Sequence, residues 1–314
     1  MQDIENLCQA CLELGAADLL LREYSVPFVR VGEDIRALES PPVEPVLMDC
    51  LWSSCGAEQS IKDLDSSYVT ETGIRFRVNL HRQLGLRAAI MRRISTKIPT
   101  MDDLGLPVEL LSKWLSRPSG LILFTGATGT GKSTTMAACL NWLNHNYHYH
   151  IVTIEDPVEY LFADNHSHFT QREVGPDTPS FAEGPRRALR QTPDVILLGE
   201  IRDSLSATTA LQAAETGHLV LASLHSSSAT ETVERLTRIF PSNERDDASA
   251  LLSAQLVGIF TQMLLPGIEK KLILVAEHFE NQAATRQWIR QGGGTELTDF
   301  LNRGGNPENR SMTV

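Results

Sequence analysis

The spacing of apolar positions changes character part-way along the chain. In the first part, Leu7, Cys11, Leu12 and Leu14 fall on one side of a helix predicted over about 3–15. The segment "ADLLLREYSVPFVRVGEDIRAL" then alternates apolar and polar side chains, which predicts strands with "VGED" as a hairpin turn. After the loop "SPPVEP" the pattern predicts a helix near 45–55, then a meander of strands at 67–71, 73–80 and 86–94. "STKIPTMDDLGLP", 95–107, is rich in turn formers and reads as a linker, and 107–117 predicts a helix that opens on Pro107. From 119 the texture is different. Short continuous apolar runs, "LILFT", "IVTIE", "VILLG", "LVLAS" and "LILVA", alternate with helical patterns, which predicts a parallel sheet covered on both faces. A helix interrupted by "GPRR", 184–187, is expected to restart at Pro185. The expected domains are therefore a mixed α+β domain over 1–98, a linker and connecting helix over 99–118, and an α/β domain over 119–314 with a helical C-terminal end.

Composition narrows the classes. The chain has 314 residues, enough for one large domain or two ordinary ones, and 42% hydrophobic content is normal for a globular protein with real cores. A net charge of −11 and only 6% aromatic residues argue against a protein that coats nucleic acid. The N-terminus "MQDIENLCQACLELG" has no basic segment ahead of an apolar stretch, so no signal peptide is read. No apolar run reaches about 18 residues, so no membrane span is expected. Cys8, Cys11, Cys50 and Cys55 form C-x2-C and C-x4-C pairs that invite a zinc reading. The spacing is a poor match to a knuckle, and reduced thiols serving as small hydrophobes are expected instead. "NHNYHYH", 144–150, reads as a polar helix–strand connection, since no carboxylate or cysteine joins its histidines at ligand spacing.

One motif is strong. "LILFTGATGTGKSTTMAACLNWL" is a strand, then G-x4-G-K-S, then a helix. Gly126, Gly129 and Gly131 let the loop curl with its N–H groups inward, and the helix that follows presents its positive end to phosphate. The cradle runs over Gly126, Ala127, Thr128, Gly129, Thr130, Gly131, Lys132, Ser133 and Thr134. Lys132 is the expected partner of the β- and γ-phosphates of ATP, and the Ser133 hydroxyl a ligand of Mg²⁺. Downstream, "TIEDPVEY" ends a strand in Glu155, Asp156 and Glu159, and "VILLGEIRD" ends another in Gly199 and Glu200, with no aspartate directly after the apolar run. His218 and His225 flank the strand "LVLAS".

Taken in order, these segments resemble the secretion ATPase superfamily of type II secretion and type IV pili, most closely the PilT-like pilus retraction ATPases. The resemblance runs from about 16 to 300: "TIEDPVE" resembles the acidic box, "ILLGE" the atypical Walker B motif and "TGHLVLASLH" the histidine box. It implies a PAS-like N-terminal domain followed by a RecA-like P-loop ATPase domain, assembled as a homo-hexamer. It implies Glu200 in the Walker B role assisting Mg²⁺, Glu159 as the base that polarises water, and Glu155 supporting the metal. His225 would sense the γ-phosphate and His218 would report it to the next subunit. "GIRFRVN" and "IMRRI" resemble arginine-bearing strands, giving Arg75, Arg77 and Arg92 as further cations, with salt bridges on a basic strand face as the plainer reading. The implied work is powering pilus retraction, with domain closure about a hinge near 95–107. The setting is cytoplasmic, peripheral to the inner membrane only through a platform protein. "AATRQWIRQG", 283–292, is a looser match to a short arginine-containing helix, with Arg286 and Arg290 its basic positions. The absence of an extra N-terminal domain and of a paired C-x2-C insertion favours retraction over assembly. An ATPase of conjugation or type IV secretion is the close alternative, a RecA-like nucleic-acid motor or a non-hydrolysing nucleotide switch the distant ones. No nucleic-acid partner is expected. The terminal "RSMTV" reads like the start of another element, as though the chain were truncated.

Overall fold

The computed structural model describes residues 3–302 apart from 33, 59, 96, 182 and 268–271. "RSMTV" lies outside the described residues. The chain divides into two units, Met1–Ser95 and Thr96–Val314.

The first unit begins with helix α1, Ile4–Glu13, capped by the Asp3 side chain. Strands β1 (Asp18–Arg22), β2 (Phe28–Val31) and β3 (Asp34–Ala37) follow, then helix α2 (Pro45–Ser54) and strands β4 (Asp63–Val69), β5 (Arg75–Gln83) and β6 (Leu86–Arg93). They form a six-stranded sheet in the order β3-β2-β1-β6-β5-β4 with every neighbour antiparallel. The "VGED" turn is a two-residue connection: Val31 pairs with Asp34, and Gly32 takes a φ of +61°, which a side chain would resist. Alternation puts Leu19 and Leu21 of β1 and Phe76, Val78 and Leu80 of β5 against Leu7 and Cys11 of α1 and Met48, Leu51 and Trp52 of α2. Cys8 and Cys11 thus sit in the core as small apolar groups, and burial pushes the Cys8 thiol up to about 12. Asp18, buried at the start of β1, accepts from Arg30 and Arg92.

In the second unit, helix α3 (Val108–Leu115) precedes strand β7 (Gly120–Thr125) and helix α4 (Lys132–Asn146). After these come β8 (His150–Glu155), β9 (His168–Glu173), helix α5 (Glu183–Ala188), β10 (Val195–Leu198), α6 (Ser204–Glu215) and β11 (Leu219–Leu224). The unit ends with α7 (Ala229–Arg238), α8 (Arg245–Gln255), β12 (Leu256–Pro266), β13 (Leu272–Glu280), α9 (Arg286–Arg290) and α10 (Thr295–Asn302). The seven-stranded sheet runs β13-β12-β7-β11-β10-β8-β9, and apolar clusters cover both of its faces.

Three expectations need correction. "LILVA" is the first half of β13, which runs antiparallel to β12 and is not one of the parallel strands. A parallel neighbour needs a crossover of a dozen or more residues, and only a short hairpin connection separates β12 from β13. The parallel neighbour of β7 on that side is β12 itself, which the pattern hid because "LLSAQLVGIFTQMLLP" passes from helix to strand with no turn former between them. The helix at "GPRR" begins at Glu183, with Pro185 inside its first turn, where a missing N–H costs nothing. The stretch read as linker and connecting helix, 99–118, is also more than a connector. Met101, Leu106, Leu111, Trp114 and Leu115 are buried in the second unit's core, and the Trp114 ring fills the space a side chain at Gly258 would need.

Candidate active site

Parallel strands place their C-terminal ends on one edge of the sheet, and that edge carries the chemistry. β7 is buried along its whole length and turns at Gly126 into the phosphate loop. Two glycines there answer to close packing. A Cβ on Gly126 (φ +142°) would stand 2.3 Å from the Gln262 carbonyl oxygen, and Gly131 (φ +85°) packs on the Gln262 amide. The Thr130 hydroxyl closes the loop onto the Ala127 carbonyl at 2.9 Å. Lys132 opens α4 and turns back over the loop, its Nζ donating to the Gly126 and Ala127 carbonyls at 2.9 and 2.8 Å. Burial lowers its pKa, with Glu200 and Glu159 opposing that shift. Thr134 shares a 2.9 Å hydrogen bond with the Tyr160 hydroxyl.

Register brings the acidic groups alongside. Leu198 of β10 pairs with Ile154 of β8 and Ala222 of β11, so Glu155, Glu200 and His225 emerge at the same end as the loop. Together with Lys132, Ser133 and Glu159 they line one open cavity of about 510 Å³. Gly199 N–H donates to the Ile154 carbonyl at 2.8 Å, and a Cβ there would stand close, 3.3 Å from that oxygen and 3.4 Å from the Glu155 Cα. The first carboxylate at this strand end is Glu200.

The carboxylates have unlike surroundings. Glu200 Oε2 accepts from Arg202 Nε at 2.8 Å, and its Oε1 lies 3.2 Å from His225 Nε2. Arg202 also reaches Asp156 at 3.3 Å and stacks its guanidinium over Phe181. Glu155 is buried; its Oε1 accepts from the Thr153 hydroxyl at 2.7 Å and from the Gln171 amide at 3.5 Å. Glu159 is exposed to the cavity, and its own carboxylate makes no hydrogen bond or ion pair among the described residues. Arg202 escaped the sequence reading. Its only signal was the charge alternation in "GEIRD", which a solvated loop would share.

Burial raises the Glu155 carboxyl from the usual 4.5 to about 7, against hydrogen bonds that favour the anion. The fold thus prefers the neutral acid, so stability tied to this group is full below about 4.5 and is lost as pH rises to about 7. The nucleotide-free protein should lose stability across that window relative to a Glu155→Gln variant, by on the order of a few kcal/mol at most, read as a falling melting temperature. Parallel melting curves for the two proteins from pH 4.5 to 7.5 would contradict this account of Glu155.

Other expected residues lie elsewhere. His218 precedes β11, at the opposite edge of the sheet from the cavity, where its Nδ1 bonds the Ala213 carbonyl at 3.0 Å. Arg75, Arg77 and Arg92 belong to the first unit, where Arg75 donates to Ser67 at 3.3 Å, Arg77 lies 4.0 Å from Asp65 and Arg92 pairs with Asp18 at 2.7 Å. Arg286 and Arg290 are the ends of α9. The histidines of "NHNYHYH" stack on those of β9 and its approach, His148 on His166 and His150 against His168. Among the described residues no group of three or more His, Cys, Asp and Glu could hold a metal ion. Magnesium is a different case, since it keeps several waters and takes one or two protein oxygens beside substrate phosphates. The Ser133 hydroxyl and the Glu200 carboxylate, both lining the cavity next to Lys132, fit that requirement. Glu155 fits it less well, because it is buried and its hydrogen bonds already engage it with Thr153 and Gln171.

A strand–loop–helix phosphate cradle on a mostly parallel sheet, with carboxylates at the neighbouring strand ends, defines a RecA-like P-loop ATPase domain. The model of the type II/IV secretion system protein family matches residues 67–303, and the chain belongs to that family. It is 37% identical to the type IV pilus retraction ATPase PilT of Pseudomonas aeruginosa over 96% of this chain and 90% of that protein. It is 36% identical to the type IV pilus ATPase PilU of the same organism over 96% of this chain and 80% of that protein. The crystal structure of the pilus retraction motor PilT with bound ADP superposes with a TM-score of 0.88 at 39% identity, covering 97% of this chain and 90% of that one.

Proposed function

We propose that this chain is the ATP-hydrolysing subunit of a ring motor, a homo-hexamer, that powers type IV pilus retraction. The observation that carries the reading is the meeting of Lys132, Glu159 and Glu200 in one cavity, in a chain that matches a pilus retraction ATPase over nearly all of both lengths. On this reading ATP places its phosphates against the loop N–H groups and the start of α4, and Lys132 leaves the Gly126 and Ala127 carbonyls for the β- and γ-phosphates. Magnesium, held through Ser133 and Glu200, supplies charge neutralisation to the phosphates. Glu159, with its carboxylate open to the cavity, orients the attacking water and takes its proton. Glu155 supports the metal side of the site from its buried position beside Glu159, and His225, 3.2 Å from Glu200, would sense the γ-phosphate. Phosphoryl transfer depends on placement and charge more than on covalent chemistry, so a base on a neighbouring strand end suffices. Arg202, 2.8 Å from Glu200, is the cation best placed to join the transferring phosphoryl group. Arg75, Arg77 and Arg92 of the first unit, which contact Ser67, Asp65 and Asp18, are the further cations that the family resemblance implies.

The motor acts at the cytoplasmic face of the inner membrane through a platform protein. Among the described residues no helix is long and apolar enough to cross a membrane. Cells lacking this chain should keep extended pili that no longer retract, with retraction restored by the wild-type gene and not by Lys132→Ala. Normal retraction without the chain would contradict the proposal. At the site, Glu200→Gln should raise the Mg²⁺ concentration needed for half-maximal hydrolysis at least about tenfold, the effect of losing a charged ligand-side group. An unchanged Mg²⁺ requirement would count against Glu200 as the metal-side carboxylate.

A further inference from the structure

β12 runs beside β7 as far as the pairing of Thr261 with Thr125, and there the two chains part. β7 turns away as the phosphate loop, while β12 continues with β13 as a two-stranded ribbon from Gln262 to Pro266. Gln262 is the first residue beyond the shared ladder. Its side chain is 2% exposed, and its Nε2 donates to the Thr130 carbonyl of the loop at 2.7 Å. The amide's orientation follows from its partner, because a carbonyl oxygen only accepts and so requires the nitrogen end. The other end, Oε1, is buried with no hydrogen-bond partner. An unmet buried acceptor is unfavourable, and an apolar side chain of the same volume would fill the space without it. The donor is therefore what explains a glutamine at this position. The packing is reciprocal: the backbone oxygen of Gln262 occupies the space beside Gly126, and its amide nitrogen stands 3.4 Å from where a Cβ of Gly131 would be. Gly126 is thus fitted to this residue, and Gly131 lies in ordinary contact with it and with Leu264 of the same strand.

We propose that Gln262 is a positioning residue for nucleotide binding: its amide ties the phosphate loop to β12 and holds the loop N–H groups in the inward curl that receives phosphate. Thr130 and Gly131 are consecutive, and Lys132 follows them, so the tie fixes the peptide just ahead of the α4 N-terminus. Without it the loop keeps its sequence and its glycines but samples curls in which fewer N–H groups converge. The loss falls on binding of the phosphates, equally for ATP and ADP, and little on the chemical step, because Glu159 and Glu200 follow other strands, β8 and β10.

The test compares wild type with Gln262→Leu, which keeps volume and removes the donor. Fluorescent mant-ADP affinity without Mg²⁺, the split between KM and kcat for ATP, and the melting temperature of the nucleotide-free protein are measured together. The expected result is an affinity loss of roughly fivefold to tenfold, the size of one hydrogen bond, with a matching rise in KM, kcat within about twofold, and an apo melting temperature at or above wild type. Unchanged affinity overturns the proposal, and so does a fall in kcat at constant KM. If Gln262→Leu does not fold, Gln262→Met keeps the length and flexibility of the side chain and carries neither a donor nor a charge. Weakened mant-ADP binding by that folded variant supports the proposal and wild-type affinity overturns it. The inference rests on the loop being a nucleotide site. Wild-type protein that failed to bind mant-ADP would defeat that reading, whereas equal binding by wild type and variant defeats only the assignment of Gln262.

Discussion

Replacing Glu159 by glutamine is expected to lower ATP turnover by about 10²–10⁴-fold while ATP binding stays within a few-fold of wild type, the range of a lost general base. The substitution preserves volume and removes only charge and basicity. The Glu159 carboxylate makes no hydrogen bond or ion pair among the described residues, so nothing in the fold depends on it. A base acts only in the transition state, so the loss should fall on kcat and leave the nucleotide Kd alone. Removal of a negative charge near Lys132 and the phosphates could even tighten binding slightly, since Glu159 bears on the Lys132 ammonium. Single-turnover hydrolysis with a parallel mant-ATP titration checks both halves. Wild-type kcat in Glu159→Gln would remove Glu159 from the mechanism.

Lys132→Ala should have the opposite signature. Here nucleotide affinity itself is expected to fall by about 10²–10³-fold, the equivalent of losing one or two charge-assisted hydrogen bonds to phosphate at about 1.5–3 kcal/mol each. In the nucleotide-free protein Lys132 is satisfied by two loop carbonyls, so the exchange of partners on binding is nearly balanced in number and gains from charge. Lys132→Arg should not restore binding. The guanidinium fork is wider than an ammonium and carries its donors in a plane, and the position is tightly enclosed, with Lys132 only 9% exposed. Isothermal titration with ATP and ADP reads the loss. An alanine variant that binds within threefold of wild type would mean that the loop holds phosphate through backbone N–H groups alone.

Much of this site was legible because its chemistry sits where strands end. "LILFTGATGTGKST" carries its meaning in spacing, and the parallel sheet then forces the ends of "IVTIE", "VILLG" and "LVLAS" to the same edge. Glu155, Glu200 and His225 could therefore be brought together on paper. His218 could not be separated from them that way, because a residue before a strand and a residue after it look alike in a motif, although the strand's length holds them at opposite edges of the sheet. Arg202 and Gln262 were out of reach for another reason. Gln262 acquires its role from Thr130, and Arg202 is held by Asp156 as well as by the nearby Glu200; the distant neighbours leave no periodic trace. The fold shows the same division. Alternation announced β1, β2, β5 and β6, and the hairpin at Gly32 announced itself by turn chemistry. β12 stayed hidden because it is apolar from the preceding helix onward, and the sense of β13 follows from its connection rather than its composition.

On the function proposed above, the open edge of the second unit's sheet is a Mg-ATP hydrolysis site run by Glu159 and Glu200. The measurement that bears on it most directly is an experimental structure of this chain with Mg²⁺ and a non-hydrolysable ATP analogue. The prediction is a Glu159 carboxylate about 3 Å from a water in line with the γ-phosphate, and Glu200 within one water of a metal that is also bound by Ser133. A γ-phosphate whose in-line water is held by other side chains, with Glu159 and Glu200 turned away from the nucleotide, would contradict it.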